Sequence, residues 1–97
     1  MNKVVIIGAG AAGLMAGIAA AENGAEVTIL EKNDRAGKKI RITGKGRCNV
    51  TSAKSLDEHI KAFAHNGKFM YTPYSALSPE EIYSFFEEAG VPLKVER

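Results

Sequence analysis

The sequence predicts an α/β fold that opens with one strand–helix–strand unit, and three observations predict it. A β-branched run, Val4-Val5-Ile6-Ile7, leads into an Ala-rich segment, which leads into Glu26-Val27-Thr28-Ile29-Leu30. Eight of the ten glycines precede Arg47, and three of them, at 8, 10 and 13, separate the first run from the helical segment. Finally, the three segments fit within about thirty residues, the length of a βαβ unit. Such a crossover is expected to be right-handed.

Each element follows from its own residues. Val4 to Ile7 lacks alternation, as a strand buried on both faces of a parallel sheet would. Gly8 ends it. Ala11 to Asn23 reads as a helix of high alanine propensity, stopped at Gly24. Gly13, Gly17 and Ala20 share one of its faces and allow close packing on a sheet. Glu26 to Leu30 is the second strand, finishing at Glu31. Asn33 to Lys39 is a polar loop around Gly37. Lys39 to Thr43 alternates basic and apolar residues and is expected to be a short extended segment, before a glycine-punctuated loop from Thr43 to Asn49.

Two helices follow. Ser55 with Glu58 forms a capping box, and Ile60 and Phe63 supply the apolar stripe behind it. Asn66-Gly67 is a turn. Ser78 with Glu81 forms a second capping box, with Pro79 at the first helical position. That helix is expected to reach Ala89, with Ile82, Phe85, Phe86 and Ala89 on its buried face and Gly90 as its stop. Val91 to Val95 reads as a strand that Pro92 confines to an edge or a strand start. There is no internal repeat and no linker.

Composition narrows the function classes. With 97 residues, 45% hydrophobic and 25% charged, the chain has the size and balance of one small globular domain. Disorder and collagen are excluded. Val4 to Ala21 is too rich in Gly and Ala for a bilayer helix, and Lys3 alone is a poor start for a signal peptide. A cytoplasmic protein with no membrane partner is expected. The single cysteine, Cys48, excludes an internal disulfide and a CxxC pair. His59 and His65 fall on different helix faces and read as surface or helix-flank residues, so no metal is assigned. Tyr71 and Tyr74 read as packing residues. Seven of the thirteen basic residues, Arg35, Lys38, Lys39, Arg41, Lys45, Arg47 and Lys54, lie in an acid-free stretch between Asp34 and Asp57.

Gly8-Ala9-Gly10-Ala11-Ala12-Gly13 fits G-x-G-x-x-G between strand and helix, the Rossmann-like arrangement for a dinucleotide. Gly8 permits the tight turn, Gly10 lets the backbone approach a pyrophosphate, and Gly13 seats the helix on the strand. The free N–H groups at the helix start face the phosphates. Glu31 lies eighteen residues beyond Gly13, at the end of the second strand, where a carboxylate accepts from ribose hydroxyls. It would repel a 2′-phosphate, which disfavours NADP and leaves FAD or NAD.

The stretch Ala36-Gly37-Lys38-Lys39-Ile40-Arg41-Ile42-Thr43-Gly44-Lys45-Gly46-Arg47-Cys48-Asn49-Val50-Thr51, with the opening fingerprint, resembles the YhiN-like family of bacterial NAD(P)/FAD-dependent oxidoreductases. The resemblance covers the whole chain; Ser52 stands where many members carry Asn. It implies a glutathione-reductase-type FAD-binding unit in which Gly8, Gly10, Ala11, Ala12 and Gly13 hold the pyrophosphate and Glu31 the adenosine ribose, flanked by Lys32. Lys39 and the loop of Thr43, Gly44, Gly46, Arg47, Cys48 and Asn49 would wrap the ribityl and pyrophosphate side. Glycines at 44 and 46 let backbone N–H groups approach an anion, and Arg47 offers a planar fork of donors. Cys48 reads as a packed thiol in preference to a reactive one, and no catalytic residue is assigned.

Family members are several times longer, so residues 1–97 are expected to be the N-terminal part of the FAD-binding domain, an incomplete βαβ unit followed by a glycine-rich loop and two helices. The resemblance further implies NAD(P)H as hydride donor of the intact enzyme. The acceptor would be an unsaturated substrate, either a small molecule such as a bile-acid intermediate or a ribosomal RNA uridine. Two alternatives stand beside it: a non-catalytic dinucleotide-binding module, and a fragment needing a partner chain. Open sheet edges would then promote self-association.

Overall fold

β1 (Lys3–Ile7) and β2 (Glu26–Leu30) form a two-stranded parallel sheet, joined by helix α1 (Ala11–Glu22). The register pairs Lys3 with Glu26 and runs without a bulge to Ile7 opposite Leu30. One more bond extends the ladder at each end: Glu26 donates its N–H to Asn2 O at 2.8 Å, and Gly8 donates to Leu30 O at 2.8 Å. The computed structural model describes residues 1–44 and 49–96. The chain divides into two compact units, Met1–Asn49 and Val50–Arg97.

In the first unit α1 packs on the sheet through its small residues. A Cβ built on Gly17 would lie 3.1 Å from Ile29 Cδ1 and 3.6 Å from both Ile6 Cδ1 and Val27 Cγ1, so helix backbone rests on those side chains. At Gly13 the approach is closer still, because a Cβ there would overlap the carbonyl oxygen of Gly8. Gly8 has φ +99°, a conformation that glycine adopts freely and other residues rarely do. The strand-to-helix turn and the seating of the helix are thus fixed together.

Burial in β1 alternates. Val4 and Ile6 are half-buried under α1, while Val5 is 61% and Ile7 79% exposed. β2 repeats the pattern, with Val27 and Ile29 half-buried and Leu30 52% exposed. The expectation of burial on both faces is therefore corrected. A single crossover helix covers one side of a sheet, and period-two side chains on the other side stay bare.

The segment after β2 also differs from expectation. Lys38–Ile42 is a short helix, α2, and not an extended strand. Gly37 starts it in the left-handed conformation, φ +66°, and Arg41 N–H bonds back to Gly37 O at 3.1 Å. A left-handed glycine turns the chain into the helical bond pattern, and among the described residues the basic–apolar alternation has no neighbouring strand to pair with.

The second unit is helical. Helices α3 (Leu56–Lys61) and α5 (Pro79–Glu88) start at the two expected capping boxes. Glu58 N–H bonds Ser55 Oγ at 3.2 Å and Glu81 N–H bonds Ser78 Oγ at 3.1 Å, with each glutamate returning a bond to its serine N–H. Ile60 is the buried residue of α3. Phe63 lies beyond the helix end and is 41% exposed. Asn66 makes the expected turn at φ +56°.

A 3-10 turn, Gly67–Met70, and helix α4, Tyr71–Ala76, follow. Pro73 sits in the first turn of α4, where its missing N–H costs no helical bond. Tyr74 packs edge-on against His59 at 5.7 Å and tilted against Phe63 at 6.5 Å between ring centroids.

On α5, Ile82, Phe85 and Phe86 are half-buried, but Ala89 caps the helix and is exposed. Val91 to Val95 is not a strand. Its bonds go back to α5 instead: Leu93 donates its N–H to Glu87 at 2.8 Å, and Leu93 O accepts from Tyr83 Oη at 3.4 Å. No helix among the described residues is long and apolar enough to cross a membrane.

The two glycines of α1 should respond differently to alanine. Gly13→Ala meets backbone that cannot move aside and should lose about 3 kcal/mol or more, above the usual overpacking cost of about 1–3 kcal/mol. Gly17→Ala meets only the end of the Ile29 side chain, and a helix-propensity gain of about 1 kcal/mol offsets the strain. Urea unfolding of the two variants followed by circular dichroism checks the contrast.

Candidate functional site

The fingerprint turn lies between the C-terminal end of β1 and the start of α1. Gly10 is the residue before the helix, with φ −84° and ψ −168°, and no side chain caps this helix end. The backbone therefore presents its N–H groups outward, with the positive end of a twelve-residue helix dipole behind them.

Gly10 itself is informative. Its dihedrals are extended and open to any residue. A Cβ there would meet nothing within 4 Å. Among the described residues, neither backbone strain nor packing requires glycine at this position. What the missing side chain leaves is open space beside the N–H groups of a helix start, the kind of place an anion favours.

Glu31 sits across from this turn, as its place at the end of β2 requires. Its Oε1 accepts from Ala9 N–H at 2.8 Å and its Oε2 from Asn33 N–H at 2.8 Å. These two bonds, that of Ala9 first, hold the carboxyl below the usual value of 4.5, and Lys32 adds a smaller pull. The group is a carboxylate at neutral pH, with lone pairs left over to accept from hydroxyl donors.

The other sequence-predicted residues fall into four groups. Gly8, Gly10, Ala11, Ala12 and Gly13 build the turn and are brought together with Glu31. Lys32 and Lys39 are exposed, Lys39 on α2, whose start is tied to the turn by a bond from Gly37 N–H to Ala9 O at 2.7 Å. Thr43 closes α2, its hydroxyl on Ile40 O at 3.3 Å, and Gly44 follows with φ +75°. Among the described residues no hydrogen bond joins Thr43, Gly44 or Asn49 to the turn. Gly46, Arg47 and Cys48 lie outside the described residues.

Three contributors were not marked by sequence reasoning: Ala9, which is only 4% exposed, Asn33 and the buried Gly37. Ala9 occupies a variable slot of the fingerprint and carries no signal of its own. Gly37 could have been found from its isolated place in a polar loop. Among the described residues no group of three or more His, Cys, Asp or Glu side chains could hold a metal ion.

Because the folded carboxyl titrates below 4.5, Glu31 stabilises the first unit fully above that value and loses its contribution as pH falls through the lowered one. The unfolding free energy of the chain should exceed that of Glu31→Gln at neutral pH, with the gap closing in acid below about pH 4.5. Paired urea titrations across that range would show it.

Residues 2–97 match the HI0933-like protein Rossmann domain. The chain is 31% identical over 90 residues to a ribosomal RNA dihydrouridine synthase of Haemophilus influenzae, covering 93% of this chain and 22% of that protein. It is 54% identical over 54 residues to a 3-dehydro-bile acid delta(4,6)-reductase of Clostridium scindens, covering 54% of this chain and 13% of the reductase. Over 48 residues it is 42% identical to a ribosomal RNA dihydrouridine synthase of Escherichia coli, or 50% of this chain and 12% of that one. The chain thus spans less than a quarter of the length of the curated relatives it matches. A fingerprint turn seated by Gly13, a carboxylate at the end of β2 and a match over nearly every residue lead to one conclusion: this chain belongs to the HI0933-like Rossmann domain family, the YhiN-like flavoprotein group that its sequence resembles.

Proposed function

We propose that this chain is the FAD-binding part of a flavin-dependent oxidoreductase, and that residues 1–97 form the N-terminal portion of its Rossmann-like domain. The observation that carries the reading is Gly10, a glycine that neither dihedrals nor neighbours require, opening free space at an uncapped helix start beside Glu31. The N–H groups of Gly10 and of the first turn of α1 bind the pyrophosphate, since those of Gly8 and Ala9 are taken by Leu30 O and Glu31. Glu31 accepts from the adenosine ribose and keeps out a 2′-phosphate by charge repulsion. Lys32 and Lys39, with the glycine-rich loop from Thr43 to Asn49, supply positive charge and further N–H donors on the pyrophosphate and ribityl side.

The chemistry that bound FAD supplies is hydride transfer from NAD(P)H to an unsaturated substrate. The names of the relatives support two substrate classes, a steroid-like small molecule and a uridine of ribosomal RNA. A second reading, a dinucleotide-binding module completed by further polypeptide, is favoured by the bare side of the sheet at Val5, Ile7 and Leu30. The readings share the same nucleotide site and differ in turnover.

Titration of the purified chain with FAD, read by flavin fluorescence and competed with ADP and NAD, tests the shared site. Saturable binding displaced by ADP is the expected result. Gly10→Val should abolish it while leaving the unfolding curve in place, since the extended dihedrals accept valine. Glu31→Arg should weaken FAD about 10- to 100-fold through the lost charged hydrogen bonds to ribose. Flavin retained by Gly10→Val would overturn the pyrophosphate assignment.

A further inference from the structure

Both polar atoms of the Ala9 peptide region are engaged from outside the turn. Ala9 N–H donates to Glu31 Oε1 at 2.8 Å, and Ala9 O accepts from Gly37 N–H at 2.7 Å. Ala9 itself is 4% exposed, one of the most buried residues of its unit. The other carboxylate oxygen of Glu31 is held by Asn33 N–H at 2.8 Å, so the side chain is fixed at both oxygens. Gly37 in turn starts α2. Three separate stretches of chain, the fingerprint turn, the end of β2 and the start of α2, therefore meet at one residue.

From this geometry we infer that Glu31 is also a positioning residue: together with Gly37 N–H it clasps Ala9 and sets the fingerprint turn in its anion-binding shape before any ligand arrives. The inference deepens the nucleotide-binding reading and rests on it for the identity of the anion, but the clasp is a property of the free chain. A carboxylate used solely as a ribose acceptor needs no bond to the turn. Here the bond to Ala9 aligns the turn that leads into Gly10 and the α1 N–H groups. Pre-aligned donors bind more tightly because less order is lost on association.

The two roles predict opposite signs for a ligand that has no ribose. Removing a negative charge near an anion site should by Coulomb's law strengthen the binding of inorganic pyrophosphate. Removing a clasp should weaken it. The experiment compares the full chain with Glu31→Ala and Glu31→Gln, measuring amide hydrogen exchange in the free proteins and pyrophosphate binding by NMR titration.

In Glu31→Ala, exchange at Ala9 and at Gly37 should quicken on the order of tenfold, as for loss of one charged hydrogen bond. Amides of the β1–β2 ladder should keep their rates. Glu31→Gln keeps the side-chain length and one acceptor oxygen and should restore part of the protection. Pyrophosphate should bind Glu31→Ala several-fold more weakly than the parent chain. Unchanged exchange at Ala9 and Gly37 overturns the clasp, as does equal or tighter pyrophosphate binding by Glu31→Ala, and so does quickening spread evenly over the ladder. Selective quickening in Glu31→Ala, together with a parent chain that takes no FAD, would instead sink the nucleotide reading and leave the clasp standing.

Discussion

The seating of α1 on the first strand, backbone against backbone at Gly13 and Gly8, is the constraint on which the rest of the first unit depends. With no side chain between them, the helix start is held at the C-terminal end of β1, where its N–H groups face outward. The same contact fixes the turn at Gly8, whose N–H continues the parallel ladder onto Leu30 O. Ladder, turn and helix axis are one mechanical piece. A larger residue at 13 would not merely strain the helix; it would lift the anion-facing end away from the strand that locates it.

A second layer of organisation is electrostatic. Glu31 is a negative charge next to a turn that favours anions, an arrangement that looks unfavourable until its bonds are traced. Its oxygens take N–H groups from Ala9 and Asn33, and so the charge is met by the protein's own donors. Lys38, Lys39 and Arg41 lie on α2.

Much of the first unit was legible because its residues obey local rules. The β1 and β2 runs, the alanine-rich α1, the glycine fingerprint and the placement of Glu31 all follow from propensity and spacing. Both capping boxes were readable for the same reason, since Ser55 with Glu58 and Ser78 with Glu81 complete their bonds within four residues. The misreadings share a cause as well. Burial of Val5 and Ile7 depends on what covers a sheet, which a strand's own sequence does not state. Lys38–Ile42 became helical through the left-handed Gly37, and Val91 to Val95 was taken up by Tyr83 and Glu87 on the preceding helix. Of the site, Glu31 and the glycines were visible as residue types. Ala9 was not, because its part is played by peptide groups that every residue has.

The bare side of the sheet has a thermodynamic consequence. Unfolding raises the heat capacity in proportion to newly exposed apolar surface, and the slope of stability against denaturant follows the same area. In the first unit Val5, Ile7 and Leu30 already face solvent before unfolding begins. Its heat-capacity increment and denaturant slope should therefore be small for its length, and its stability curve shallow and broad in temperature. Covering that side would steepen the curve as well as raise it, so calorimetry of this chain reads directly how much of its sheet is still unburied.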